Sequence, residues 1–132
     1  MAAEAGLDAV RFSSAAVLDD EIGSPIDPRA ARVLTEAGYR ASGHRAHQIT
    51  AQEIRQADLV IGMEHFHIAR MTRLVPKAPN LALMTDFDPT ATPGTEIDDP
   101  WYGPASRFDL TLAELERAMP GVLKWCANRI VQ

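Results

Sequence analysis

The chain holds a single cysteine, Cys126, in 132 residues. An internal disulfide is therefore excluded, and the reducing cytoplasm is the expected compartment. No apolar run approaches the roughly 18–20 residues needed to span a bilayer, so no membrane partner is expected. Basic residues are scattered rather than clustered and the net charge is −5, which disfavours nucleic acid, because a phosphate backbone demands concentrated Lys and Arg. The start, Met1-Ala2-Ala3-Glu4-Ala5-Gly6, lacks the basic region and apolar stretch of a signal peptide. Repeats, low-complexity tracts and linkers are absent too, so residues 1–132 read as one domain. His44-x-x-His47 and His65-x-His67 fall on different elements, and no cysteine pair or His-Glu-x-x-His helix supports them as zinc ligands. No metal and no cofactor are expected.

What is present suits a soluble α/β domain: 46% hydrophobic and 23% charged residues can bury a core. Strand-like and helix-like stretches alternate, which argues for a mostly parallel sheet flanked by helices. Residues 2–5 read as a last helical turn stopped by Gly6, and Val10 to Val17 as a strand. Asp27-Pro28 opens a helix with Ala30, Val33, Leu34 and Ala37 as its apolar stripe and Gly38 as its stop. Thr50 and Glu53 form a capping box for a short helix through Gln56. Asp58 to Met63 and Leu81 to Met84 are short apolar runs suited to strands buried on both faces. Between them Glu64 to Leu74 is helical, with Ile68, Met71 and Val75 facing inward. Leu112, Leu115, Met119, Val122, Leu123, Cys126 and Ile130 repeat at helical steps, and Pro120 should kink or restart that helix. Met63, Met71 and Met84 read as core packing, and Asp19-Asp20-Glu21 as a solvated acidic loop.

One motif carries chemistry. Asp98-Asp99-Pro100-Trp101-Tyr102-Gly103 has the composition of a rigid loop that presents a proton donor beside a ring-lined slot. A turn aspartate before proline is the plainer reading. As a donor to a phenolate leaving group, Asp99 would need its pKa raised, and both the neighbouring Asp98 carboxylate and aromatic burial push that way. Proline after Asp99 restricts its backbone. Aromatic walls favour a flat ring.

The order of signals along the chain resembles that of the low-molecular-weight protein tyrosine phosphatases from Gly6 to the C-terminus. The residues that carry the resemblance are Ser13-Ser14-Ala15-Ala16-Val17, Gly23 with Pro25-Ile26-Asp27-Pro28-Arg29-Ala30, Gly38, His44-Arg45-Ala46-His47-Gln48, Ala57-Asp58 with Met63-Glu64, Phe87-Asp88-Pro89, then Asp99-Pro100-Trp101-Tyr102-Gly103 and Phe108. The resemblance implies a parallel sheet flanked by helices. It also implies metal-free hydrolysis of phosphotyrosine proteins or small aryl phosphates through a phosphocysteine. Asp99 becomes the general acid, Trp101 and Tyr102 the substrate-binding walls, and His44 and Ser14 supporting residues near the phosphate loop.

The same resemblance calls for a Cys-(five residues)-Arg loop after the first strand, and the sequence contains none. Cys126 cannot serve, because it lies on an apolar helix face and the sixth residue after it is Gln132. The expectation is a chain N-terminally short relative to the family, without its first strand and phosphate loop, and inactive by itself. Two strand edges would then be unpaired and invite a homodimer or another partner. Ala16, Asp20, Glu21, His47 and His67 depart from the family pattern, and acids at 20 and 21 would repel anionic substrates. The rival readings are an interaction protein without catalysis and an arsenate reductase of the same fold, the latter disfavoured by the lone cysteine.

Overall fold

The structure is a computed structural model that describes residues 10–18, 23, 25–39, 46–100 and 104–130. Helix α1 spans Pro28–Glu36. It starts where sequence chemistry places it: the Asp27 carboxylate accepts from the Arg29 amide at 2.7 Å, and Pro28 fills a position whose N–H would have no helical partner. Gly38, at φ +90°, supplies the left-handed turn that ends α1. Its N–H reaches the Thr35 carbonyl at 3.0 Å, while Tyr39 N–H reaches Leu34 at 2.8 Å. These paired bonds satisfy the last carbonyls of the helix. Val33 is buried, whereas Ala37 is the exposed C-cap rather than part of the apolar stripe.

Helix α2, Ala51–Gln56, has the expected capping box. Thr50 Oγ1 accepts from Glu53 N and Glu53 Oε1 accepts from Thr50 N, each at 3.1 Å. Ile54 is fully buried. Asn80 closes the other end of α2 by donating to the carbonyls of Ile54 and Ala57 at 2.8 and 3.0 Å.

Strands β1, Val60–Gly62, and β2, Leu81–Leu83, pair in parallel with Val60 opposite Leu81. Helix α3, His65–Leu74, makes the crossover between them. A Cβ on Gly62 would lie 3.0 Å from His67 Cβ, so the absent side chain lets α3 start tightly against β1. Both strands are shorter than the apolar runs implied, and Val60 and Ile61 are half-buried rather than enclosed. The Met63 backbone leaves the ladder for His67 and Ile97. Met84 opens a 3-10 turn, Met84–Phe87, begun by Asp86 accepting from Leu83 N at 3.0 Å.

The strand expected at Val10–Val17 is not formed: Ala16 alone makes a parallel bridge, to Gln48. Alternating composition does not make a strand without a ladder partner, and Arg11 to Ala15 are exposed. Among the described residues the regular sheet therefore has two strands. The readings at residues 2–6 and at Asp19-Asp20-Glu21 lie outside the described residues.

Helix α4 runs Ser106–Ile130 without a break at Pro120. Proline removes one N–H, yet Pro120 and Glu116, whose carbonyl it would have engaged, are both exposed, so water can satisfy the released oxygen. Met84, Ile97, Ala118, Val122 and Cys126 form the core cluster between α4 and the sheet. Gly121 faces Phe87, and a Cβ there would strike the Phe87 carbonyl oxygen. Asp88 is the buried acid of this joint. Its carboxylate accepts from Thr90 Oγ1 at 2.7 Å, from Thr90 N at 2.9 Å and from Arg117 Nε at 3.4 Å. The Thr90 hydroxyl and amide hold the Asp88 carboxyl below the usual carboxylate range, with Arg117 adding to the lowering and desolvation opposing it.

Candidate active site

The loop bearing Asp98 and Asp99 leaves the carboxyl ends of β1 and β2. In open α/β sheets that edge is where ligands bind. Its root is fastened residue by residue. Gly94, at φ +82°, turns its carbonyl toward α3, where His65 Nε2 lies 2.7 Å away. A carbonyl only accepts, so that nitrogen carries the proton. Thr85 Oγ1 donates to the Thr95 carbonyl. The Glu96 carboxylate accepts from His65 N at 2.6 Å, meeting an amide that the first turn of α3 leaves unpaired. Ile97 N–H donates to the Met63 carbonyl at 2.9 Å, and the Ile97 side chain is buried.

His67 plays a different part. Its Nδ1 accepts from the amides of Met63 and Glu64, each at 3.1 Å, and joins β1 to α3. The two histidines that tempt a metal reading therefore serve separate backbone partners. Among the described residues no group of three His, Cys, Asp or Glu side chains is placed to hold a metal.

Beyond this root Asp98 and Asp99 are exposed, and the aromatic residues expected to flank Asp99 lie outside the described residues. Both acids line an open cleft of about 2010 Å³ and a recess of about 300 Å³ whose walls include Arg107, Leu110 and Glu114. Ser14 is exposed and lines the same large cleft. Trp101, Tyr102 and His44 lie outside the described residues, as do Asp20 and Glu21. His47 pairs with Glu53, Nε2 to Oε2 at 2.9 Å. That contact, more than the Thr50 bonds, holds the Glu53 carboxyl below its usual range against desolvation.

Residues 1–130 match the model of the low molecular weight phosphotyrosine protein phosphatase family. The chain belongs to that family. It is 34% identical over 126 residues to low molecular weight protein-tyrosine phosphatase A of Mycobacterium tuberculosis, a match covering 95% of this chain and 76% of that protein. The tyrosine phosphatase Wzb of Escherichia coli K30, solved with sulphate, is 28% identical, with a TM-score of 0.68 and coverage of 81% of this chain and 71% of that one. The Entamoeba histolytica protein tyrosine phosphatase, solved with Hepes in its active site, superposes with a TM-score of 0.85 at 20% identity, over 92% of this chain and 79% of its own. That likeness speaks for the fold.

Against the phosphatase fold, the residue that sequence reasoning undervalued is His65. In the sequence it stands out only as half of a His-x-His pair, while its partners Gly94 and Glu96 lie about thirty positions away. The nearest signal in the sequence was the acid of Glu96 shortly before the loop. Cys126 is where the periodicity put it, buried on α4. Burial first, and the Asp58 charge second, push its thiol above the ordinary value, away from the thiolate that a nucleophile requires.

Proposed function

We propose that this chain carries the proton-donating half of a phosphotyrosine phosphatase site, acting on phosphotyrosine proteins or small aryl phosphates. Asp99 is the general acid, Trp101 and Tyr102 wall the aryl slot, and His44 and Ser14 support it. The observation that carries the reading is the placement of Asp99: exposed at the rim of the large cleft, on a loop pinned to the carboxyl ends of two parallel strands. In the family reaction a cysteine attacks phosphorus and the bond to the phenolic oxygen breaks. The acid's proton then goes to the departing oxygen, so the leaving group departs as a neutral phenol.

The nucleophile is the part these residues do not supply. The sequence has no Cys-(five residues)-Arg segment, and the Cys126 thiol is buried and held protonated. Phosphoryl transfer rests on positioning and on neutralising the phosphate oxygens. The 132 residues alone are therefore expected to give no turnover of p-nitrophenyl phosphate above buffer. Robust turnover that vanishes in Asp99→Asn would overturn this. Fusing a family Cys-(five residues)-Arg strand and loop ahead of Met1 should create hydrolysis, and Asp99→Asn in the fusion should lower kcat by roughly 10²–10⁴-fold. Equal rates would remove Asp99 from the role of acid. The lone, unpaired cysteine fits a cytoplasmic setting.

A second reading is favoured by one feature. Val60 N–H bonds to Asn80 O at 2.8 Å, which turns Val60 toward β2 and leaves the amide and carbonyl of Ile61 facing the cleft. An edge of this kind can recruit a second copy of the chain. Light scattering should then report a dimer, and a stable monomer at high concentration would dismiss this reading.

A further inference from the structure

We propose that His65 and Glu96 are positioning residues for Asp99, together fixing the root of the loop from which the acid projects; this rests on Asp99 being the acid of the reading above. Four consecutive residues of that root each have one fastening: Gly94 O to His65 Nε2 at 2.7 Å, Thr95 O to the Thr85 hydroxyl, Glu96 carboxylate to His65 N at 2.6 Å, and Ile97 N to Met63 O at 2.9 Å. His65 supplies two of the four, one from its ring and one from its backbone. The acid follows two residues after the last fastening.

The chemistry of each fastening suits a hinge that must not move. The Glu96 carboxylate meets the positive end of α3, and a charge-assisted bond is shorter and stronger than a neutral one. The His65 ring reaches the carbonyl of Gly94, a residue whose positive φ favours glycine. Ile97 adds an apolar anchor, 2% exposed. Beyond these points Asp98 and Asp99 are exposed, with their backbone origin fixed to the ends of β1 and β2. General acid catalysis requires the proton to lie within hydrogen-bond reach of the leaving oxygen, and an error of about 1 Å can cost on the order of 100-fold in rate.

The test is amide hydrogen exchange by NMR on the 132-residue chain. In His65→Ala, exchange at the Ile97 amide, which is bonded to Met63 O, should accelerate by roughly two- to tenfold, the range set by one lost hydrogen bond. Glu96→Ala should accelerate it further. Val122 and Cys126 of α4 should keep their rates, which reports intact folding in the same spectra. His65→Gln, whose carboxamide can still donate to Gly94, and Glu96→Gln, which keeps an acceptor, should recover most of the protection. An unchanged rate at Ile97 in both alanine variants would overturn the proposal. So would acceleration shared equally by α4, or glutamine variants that behave as the alanine ones do. Because the acid role itself is read from turnover in the fusion, either result can fail without the other.

Discussion

Two segments that meet at the large cleft are held in opposite ways: the root of the loop whose Asp98 and Asp99 line it, and residues 10–17, which line it directly. On one side residues 94–97 have a hydrogen bond at every position and bury Ile97. On the other, residues 10–17 have one parallel bridge, from Ala16 to Gln48. By composition the ranking should be reversed. Val10-Arg11-Phe12 is good strand material, whereas Thr95-Glu96-Ile97-Asp98 reads as loop. The difference teaches that order here comes from partners: the poorer sequence is fixed because β1, α3 and the 3-10 turn all present donors and acceptors to it.

Three substitutions probe that contrast, beginning with the largest expected effect. Met84 is buried at the foot of the fastened segment. Met84→Ala should lower unfolding free energy by roughly 2–5 kcal/mol, the cost of lost burial plus a residual cavity, measured by denaturant titration. Asp88 comes next. Its carboxyl is held below the usual range in the folded chain. The stability it contributes is therefore present above the ordinary carboxylate pKa of about 4 and is lost as pH falls through the lower folded value. Asp88→Asn should be less stable at neutral pH and should flatten the acid limb of the stability profile; an unaltered limb would show that Asp88 is not its source. Smallest is Phe12→Ala on the loosely held segment. Phe12 is 50% exposed, and its removal should change stability by within about 0.5 kcal/mol. A loss as large as that of Met84→Ala would show that residues 10–17 are packed in solution as firmly as the fastened segment.

What could be read from the sequence follows the range of each interaction. Asp27-Pro28, Gly38 and the Thr50–Glu53 box act over a few residues, and each sits in the structure where the letters put it. The apolar runs of β1 and β2 were legible as strands, but their ends were not. Those ends are set by His67, Ile97 and Asp86, which claim the flanking amides and carbonyls. The would-be strand at 10–17 failed because its pairing partner is not a property of its own residues. At the candidate site the motif around Asp99 pointed to the loop but not to its support, since the His65 ring meets the Gly94 carbonyl and the Glu96 carboxylate meets the His65 amide only after the β1–α3–β2 crossover has been made. Pro120 does not restart the helix, for the opposite reason: a local rule yielded to a long helix whose Glu116 is exposed, so that water can reach the released carbonyl.

Gly121 has a consequence that reaches well outside the core. Because nothing but hydrogen projects there, the backbone of α4 seats directly on the Phe87 peptide, like a key in a keyway. The long helix can therefore neither roll nor slip along its axis without dragging residues 84–87, and Thr85 in that stretch grips the root of the acid-bearing loop. A methyl group added at 121 would be transmitted as displacement to a carboxylate it never touches.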